Sequence, residues 1–85
     1  KIINIHPSLL PKYKGLNAID QAFESGDLNT GCTVHYVTEE LDSGTIIEQS
    51  IVPICPDDTL DTLTHRVQQA EHRLLPLVIN SLSCH

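Results

Sequence analysis

Residues 3–15 read INIHPSLLPKYKG, an isoleucine-rich run that carries Asn4 and His6 and is interrupted by Pro7. The apolar run, which begins at Lys1, is typical of a β-strand covered on both faces, and such strands belong to parallel sheets flanked by helices. Side chains two positions apart on a strand share a face, so Asn4 and His6 are expected to point the same way. The proline holds His6 extended at the carboxyl end of the strand, where open α/β sheets bind ligands. The stretch therefore predicts an α/β fold with a polar pair at a sheet edge.

The rest of the chain predicts a short helix, a β-hairpin and a long C-terminal helix. Residues 17–25 have weak helical character and are followed by the turn signal GDLNTG. Residues 31–37 alternate as a strand does, and residues 45–52 are expected to form the second strand of a hairpin with them.

The C-terminal helix has the clearest periodicity. Apolar residues recur at three- and four-residue steps, namely Leu60, Leu63, Val67, Ala70, Leu74, Leu77, Val78 and Leu82. We expect Asp58 to cap the helix and Pro76 to kink or divide it. On a helical wheel Glu71 falls inside the apolar stripe, which is costly for a carboxylate without a partner. It is either a structural residue that reaches solvent or an arginine, or a carboxylate that faces a ligand.

Composition narrows the class of protein. The 85 residues carry a formal net charge of −6 with five Lys and Arg, which argues against a nucleic-acid or anionic-membrane surface. The absence of a long apolar run or a signal-peptide pattern predicts a soluble, cytoplasmic protein. Cys32, Cys55 and Cys84 lack CxxC spacing and are expected to be free thiols. A strand that starts at residue 1 suggests that the chain continues a longer enzyme.

Polar residues elsewhere suggest acid–base chemistry at the end of the first strand. Asp42 lies in the turn TEELDSG at 38–44, which could return to the same sheet edge as His6. A carboxylate beside an imidazole favours the protonated ring and makes an acid–base pair. A structural role for the Asn-x-His pair stays open, because both side chains can be satisfied by backbone groups. Ser8 lacks the setting of a nucleophile, and His6, His35 and Asp42 lack zinc-ligand spacing, so no metal is predicted.

Four motifs together resemble the formyltransferase family that uses 10-formyltetrahydrofolate. They are NIHPSLLP at 4–11, GCTVHYV at 31–37, LDSG at 41–44 and IIEQ at 46–49. The resemblance runs from Lys1 to about Leu82. It implies the C-terminal half of a formyltransferase-type α/β fold: a strand from a parallel sheet, a β-hairpin and a long C-terminal helix. Residues 1–85 would then be one partial domain, the catalytic C-terminal part, without the N-terminal nucleotide-binding half.

The same resemblance implies a reaction and its substrates. The nearest branch of the family transfers a formyl group to the amine of glycinamide ribonucleotide in purine synthesis. Its co-substrate is 10-formyltetrahydrofolate, its partners are small molecules, and it needs no metal. A methionyl-tRNA formyltransferase, a formyltetrahydrofolate hydrolase (which resembles HHSFLP where this chain has HPSLLP) and a non-catalytic folded remnant stay open as alternatives.

Site residues follow from matching positions. The resemblance implies that Asn4 stabilises the oxyanion, that His6 carries the proton and that Asp42 tunes His6. Folate binding is implied for Asn4, Thr38, Glu39, Glu40, Leu41 and Asp42. Contact with the ribonucleotide is implied for Gln68, Gln69, Ala70 and Glu71, and a supporting role for Thr33 and His35. The absent N-terminal half would leave the strand at 2–5 uncovered, which predicts pairing or dimerisation along that edge.

Overall fold

The computed structural model describes residues 2–40 and 44–83, which form a three-stranded sheet and two helices. The elements in chain order are β1 (Ile3–His6), α1 (Ala18–Glu24), β2 (Asn29–Tyr36), β3 (Ile46–Pro53) and α2 (Leu60–Ser83). The predicted short helix, hairpin and C-terminal helix are confirmed, with ends displaced by one or two residues. The strands lie in the order β1-β2-β3.

The pairing of β1 with β2 was not predicted from the sequence. It runs antiparallel to β2, with Ile5 opposite Val34 and His6 opposite Thr33. Within residues 2–40 and 44–83, β1 has a neighbour on one side only, so the predicted parallel pairing is not found there. After β1 the chain stays near the carboxyl end of that strand. There the Tyr13 carbonyl oxygen accepts a hydrogen bond from His6, and the Tyr13 hydroxyl donates one to Asp27, which lies just before β2. The chain therefore enters β2 at that end and runs back. Isoleucine content indicates burial but not strand direction.

Strands β2 and β3 form the predicted hairpin, with a bulge between Val34 and His35. A glycine is required at two close approaches. A Cβ at Gly31 would lie 2.0 Å from the Ser50 carbonyl oxygen, and one at Gly44 would lie 1.6 Å from that of Tyr36. Both distances are far inside van der Waals contact, so any larger residue would push the hairpin apart.

One face of the sheet packs against α2. The buried core comprises Cys32, Val34, Val52, Leu63, Val67, Ala70, Leu74 and Val78, with Ile3 and Ile5 packed at its edge. The prediction that Leu77 and Leu82 belong to this stripe is wrong, since they are 66% and 39% exposed. A 24-residue helix is about 36 Å long, whereas an eight-residue strand is about 27 Å long. The helix is therefore longer than the strands, and Leu82 lies at its far end, whereas Leu77 is exposed between the buried Leu74 and Val78.

The N-terminal cap of α2 lies one residue after the predicted cap. Thr59, not Asp58, occupies the capping position, and its hydroxyl accepts from the Thr62 N–H at 3.2 Å. The Thr59 N–H in turn donates to the Thr62 hydroxyl at 2.9 Å, a reciprocal arrangement like that of a capping box. Asp58 instead accepts from the Cys55 N–H at 2.8 Å and pairs with Arg66.

The predicted division of α2 at Pro76 does not occur, because the helix continues through that residue to Ser83. Proline removes one backbone donor, so the His72 carbonyl has no N–H at the usual position. Leu74 and Val78, on either side of Pro76, are buried against the sheet and hold both halves to one surface. The packing of Leu74 and Val78 against the sheet therefore outweighs the loss of one backbone hydrogen bond at Pro76.

The cysteines agree with the prediction as far as they are described. Cys32 is a free thiol in the core and Cys55 is a free, exposed thiol. Cys84 lies outside the described residues. Neither helix in the described part of the chain is long and apolar enough to cross a bilayer.

Candidate active site

The face of the sheet opposite α2 is polar. His6 lies opposite Thr33 and Asn4 opposite His35, while Ile3 and Ile5 pack toward the core. Asn4 is exposed, whereas His6, Thr33 and His35 are buried. The His35 Nδ1 lies 3.0 Å from the Tyr36 carbonyl oxygen and donates to it, since a carbonyl only accepts. The alternation expected for Asn4 and His6 is therefore present at the predicted strand end.

The loop after β1 folds back over this polar face and is held there by Thr33. The Thr33 hydroxyl donates to the Ser8 carbonyl at 2.7 Å. It also accepts from the Leu10 N–H at 3.1 Å and from Gln49 Nε2 at 3.0 Å. A second bond joins Gln49 Nε2 to the Leu10 carbonyl at 3.0 Å. One donor and two acceptor sites are all that a hydroxyl offers, so Thr33 is fully satisfied.

Ser8 belongs to the loop's own structure. It is fully buried, and its hydroxyl donates to the Lys12 carbonyl at 2.6 Å. Its N–H donates to the His6 carbonyl at 2.9 Å. The peptide bond between Leu10 and Pro11 is cis. These contacts agree with the judgement from sequence that Ser8 is not a nucleophile.

The imidazole of His6 is oriented by the same loop. Its Nε2 lies 2.8 Å from the carbonyl oxygen of Tyr13. Because that oxygen can only accept, Nε2 carries a hydrogen. The side chain is 6% exposed, so the ring is held in a nearly closed space. A buried, oriented histidine at a strand end is a suitable proton carrier.

Tyr13 is the main site residue that sequence reasoning missed. Its backbone has φ 53°, in the left-handed region that a tyrosine rarely adopts. Its hydroxyl donates to Asp27 Oδ2 at 2.8 Å, and Lys12 Nζ lies 3.5 Å from the same oxygen. The sequence signal was weak, because a tyrosine between two lysines resembles an ordinary surface residue. Gln49 was also missed. The alternation of side chains along its strand shows which face of the sheet it is on, but not that it bonds to Leu10 and Thr33.

Glu71 lies where the helical wheel placed it, at the edge of the core. With Ile5, His72, Leu75 and Pro76 it lines a pocket of about 400 Å³. Burial raises the pKa of Glu71, while the charges on His72 and His6 act to lower it. Glu71 is therefore close enough to His6 for their charges to interact.

The other residues predicted to contact the ribonucleotide are not among those that line this pocket. Gln68 and Gln69 are exposed on α2, and the Ala70 side chain is in the core. The contact of these three residues and Glu71 with the ribonucleotide stays a prediction.

The predicted folate loop is described in part. Thr38, Glu39 and Glu40 are exposed after β2, and the Thr38 hydroxyl donates to the Glu40 carbonyl at 3.0 Å. Leu41 and Asp42 lie outside the described residues, so the predicted pairing of Asp42 with His6 stays a prediction. Over residues 2–40 and 44–83, no three His, Cys, Asp or Glu residues are grouped to hold a metal ion. The metal-free site also stays a prediction.

Comparison with known proteins identifies the family. The model of the formyl transferase family matches residues 1–79. The chain therefore belongs to the formyl transferase family.

Its relatives include one particular enzyme of that family. The phosphoribosylglycinamide formyltransferase of Haemophilus influenzae is 52% identical over 79 residues, which are 93% of this chain and 37% of that protein. The crystal structure of the Bacillus halodurans phosphoribosylglycinamide formyltransferase matches with a TM-score of 0.93 and 52% identity, over 95% of this chain and 42% of that one. The trifunctional purine biosynthetic protein adenosine-3 of Chironomus tentans is 58% identical over 89% of this chain and 6% of its own length. The chain thus spans less than half of each of these relatives.

Proposed function

We propose that this chain carries the catalytic strand of a cytoplasmic formyltransferase that moves a formyl group from 10-formyltetrahydrofolate to the amine of glycinamide ribonucleotide. The supporting observation is the strand end itself: a buried, oriented His6 with Asn4 on the same face of β1. About 50% identity to enzymes named for this reaction also supports the choice of acceptor.

Asn4 and His6 have complementary roles in the proposed mechanism. The acceptor amine attacks the formyl carbon, and the C–O π electrons move onto oxygen to give a tetrahedral oxyanion. The side-chain N–H of Asn4 donates to that oxyanion, which stabilises charge that develops only in the transition state. His6 moves the proton from the attacking nitrogen to the folate nitrogen, which leaves as the C–N bond breaks. The step needs neither a nucleophilic side chain nor a metal.

Glu71 is proposed to bind the acceptor. It lines the pocket beside β1 and interacts electrostatically with His6. A carboxylate there would attract the ammonium form of the ribonucleotide and place the amine near the formyl carbon. Asp42 is proposed to hold the positive charge of His6, and the turn that begins at Thr38 to bind the folate ring through its backbone.

The central test is formyl transfer by the purified chain with 10-formyltetrahydrofolate and glycinamide ribonucleotide. General acid–base groups contribute about 10²–10⁴-fold, so His6→Ala should lower kcat by that order. Asn4→Ala should cost about 10²–10³-fold, the usual loss for one oxyanion donor. His65→Ala, which alters an exposed histidine on α2, is the matched control and should keep the parent rate. No transfer above buffer, or an unchanged rate in His6→Ala, would refute the proposal for this chain.

Asp42 is tested by the pH–rate profile. If its carboxylate stabilises the imidazolium, Asp42→Asn should shift the limb that reports His6 to lower pH. A profile identical to that of the parent chain would remove Asp42 from this role. Formate release without an acceptor would instead indicate the hydrolase alternative.

A further inference from the structure

The hydrogen bond between His6 and Tyr13 determines which ring nitrogen carries the hydrogen of the neutral imidazole. His6 Nε2 lies 2.8 Å from the Tyr13 carbonyl oxygen, which can only accept. A neutral ring in this position therefore has its hydrogen on Nε2 and its lone pair on Nδ1.

The Tyr13 carbonyl is itself held by contacts on the opposite side of the residue. Tyr13 has φ 53°, a conformation that costs a non-glycine residue free energy and persists where surrounding contacts enforce it. Its hydroxyl donates to Asp27 Oδ2 at 2.8 Å, which anchors the far end of the side chain. Asp27 lies just before β2, which pairs directly with β1. Hydrogen bonds of Tyr13 thus connect His6 at the end of β1 to Asp27, and the pairing of β2 with β1 connects Asp27 back to the same part of the sheet.

We propose that Tyr13 is a positioning residue for His6, which orients the ring and keeps it in the Nε2–H tautomer, with Asp27 as its anchor. The proposal rests on the proposed function for its catalytic meaning. The positioning itself can be measured without activity. Two charged side chains interact with these residues: Lys12 pairs with Asp27, and the charge of Glu71 interacts with His6.

Tyr13→Phe removes the hydroxyl and leaves the rest of the side chain. In the parent chain, nitrogen-15 spectra should show the Nε2–H tautomer of His6, with that proton protected from exchange with water. In Tyr13→Phe the exchange should become at least about 10-fold faster, because a lost hydrogen bond lets the loop open. We expect kcat to fall about 3- to 10-fold, with KM for both substrates changed less than about 2-fold.

Variants of Asp27 and Lys12 distinguish the effect of the Tyr13–Asp27 hydrogen bond from that of the Lys12–Asp27 ion pair. Asp27→Ala removes the acceptor of the Tyr13 hydroxyl, so its His6 Nε2–H should exchange as fast as in Tyr13→Phe. Asp27→Asn keeps an oxygen acceptor and should retain the slow exchange of the parent chain. Lys12→Met removes the exposed ion pair alone and should resemble the parent. Adding Tyr13→Phe to Asp27→Ala should have no further effect, as expected for partners in one bond. Circular dichroism and thermal melting identify any variant that fails to fold.

The outcomes distinguish this proposal from the proposed function. Parent-like exchange of the His6 Nε2–H in folded Tyr13→Phe and in folded Asp27→Ala would overturn the positioning role, whatever the activity. Full transfer activity in His6→Ala would overturn the proposed function and leave the exchange result to stand by itself.

Discussion

At the scale of the residue, Thr33 connects the strand to the loop that orients His6. Its hydroxyl makes three hydrogen bonds, to Ser8, Leu10 and Gln49, and is fully buried. Thr33→Val keeps the shape but leaves the Ser8 carbonyl and the Leu10 N–H without their partner. Each buried group left unsatisfied costs about 1–3 kcal/mol, so we expect a loss of about 2–4 kcal/mol, measured by urea unfolding.

A matched control is available on the same strand. Thr30 is also buried, but it lies opposite Val52, a residue of the core. Thr30→Val should therefore change the free energy of unfolding by less than about 1 kcal/mol. An equal decrease in the free energy of unfolding in Thr33→Val and Thr30→Val would contradict the stabilising role of the hydrogen bonds from Thr33 to the loop.

Glu71 is expected to lower stability at neutral pH. Burial raises its pKa above the unfolded value, so the folded state binds the proton more tightly. Its contribution is fully favourable below the unfolded pKa and is lost as pH rises through the folded pKa. Glu71→Gln should therefore melt at a higher temperature than the parent at pH 7, with the difference disappearing near pH 4.

The control for this pH dependence is Glu24→Gln, at an exposed position on α1. It should leave the melting temperature nearly unchanged at both pH values. Glu71→Gln should also slow formyl transfer if Glu71 binds the acceptor, so the more stable protein would be the poorer catalyst. A melting temperature for Glu71→Gln below that of the parent at pH 7 would contradict the sign.

Position along a helix or strand could be predicted from sequence, but partners from distant loops could not. Glu71 stood out because a helical period places it among apolar residues, and the structure puts it there. Tyr13 did not stand out, because its importance depends on two hydrogen bonds to residues seven and fourteen positions away. Such bonds depend on how the loop folds over the sheet, which no local pattern records.

At the scale of the element, the start of α2 is held by a cluster around Asp58. The Cys55 N–H and the Thr62 hydroxyl hold the pKa of Asp58 below its ordinary value, with Arg66 contributing. A lowered folded pKa adds stability above the unfolded pKa, near 3.8, that is lost as pH falls through the folded value. Asp58→Asn should therefore destabilise the protein at pH 7, and the deficit should shrink in acid.

This prediction is checked by thermal melting of parent and variant between pH 7 and pH 2. Asp57→Asn alters the adjacent, exposed carboxylate and should follow the parent curve. If the two variants gave the same pH dependence, the cluster around Asp58 would have no role in acid stability.

The element boundaries show where sequence patterns lose information. The amphipathic period identified α2, but the cap lay at Thr59 and not at Asp58, because both residues are good caps and only geometry separates them. Leu77 and Leu82 continue the apolar period but are exposed, Leu77 even though Leu74 and Val78 on either side of it are buried. The antiparallel pairing of β1 with β2 was not predicted, because burial patterns do not record which end of a neighbouring strand the chain enters.

At the scale of the whole molecule, the outer edge of β1 is the feature with the largest consequence for assembly. Over residues 2–40 and 44–83, β1 has a strand beside it on one side only. Ile2, just before it, is 73% exposed. Unpaired strand edges with apolar flanks favour pairing with another chain. We therefore expect the chain to self-associate through this edge.

Sedimentation velocity over a range of concentrations tests this expectation. Ile2→Lys places a charge at the edge of β1 and should shift the chain toward the monomer. Ile51→Lys changes an isoleucine 68% exposed on β3, at the opposite edge, and should leave the distribution unchanged. A monomer at every concentration, or dissociation by Ile51→Lys alone, would contradict the assignment of the edge.

The buried thiol of Cys32 can be used to measure how often α2 separates from the sheet. Burial, followed by the charge of Glu71, raises the pKa of Cys32 to about 11 from an ordinary 9.0. The higher pKa alone lowers the thiolate fraction at neutral pH about 100-fold, and the side chain is fully buried. Alkylation of Cys32 must then wait until α2 separates from the sheet, whereas the exposed Cys55 reacts at once. The ratio of the two labelling rates, read by peptide mass spectrometry, measures how often the layers part under native conditions.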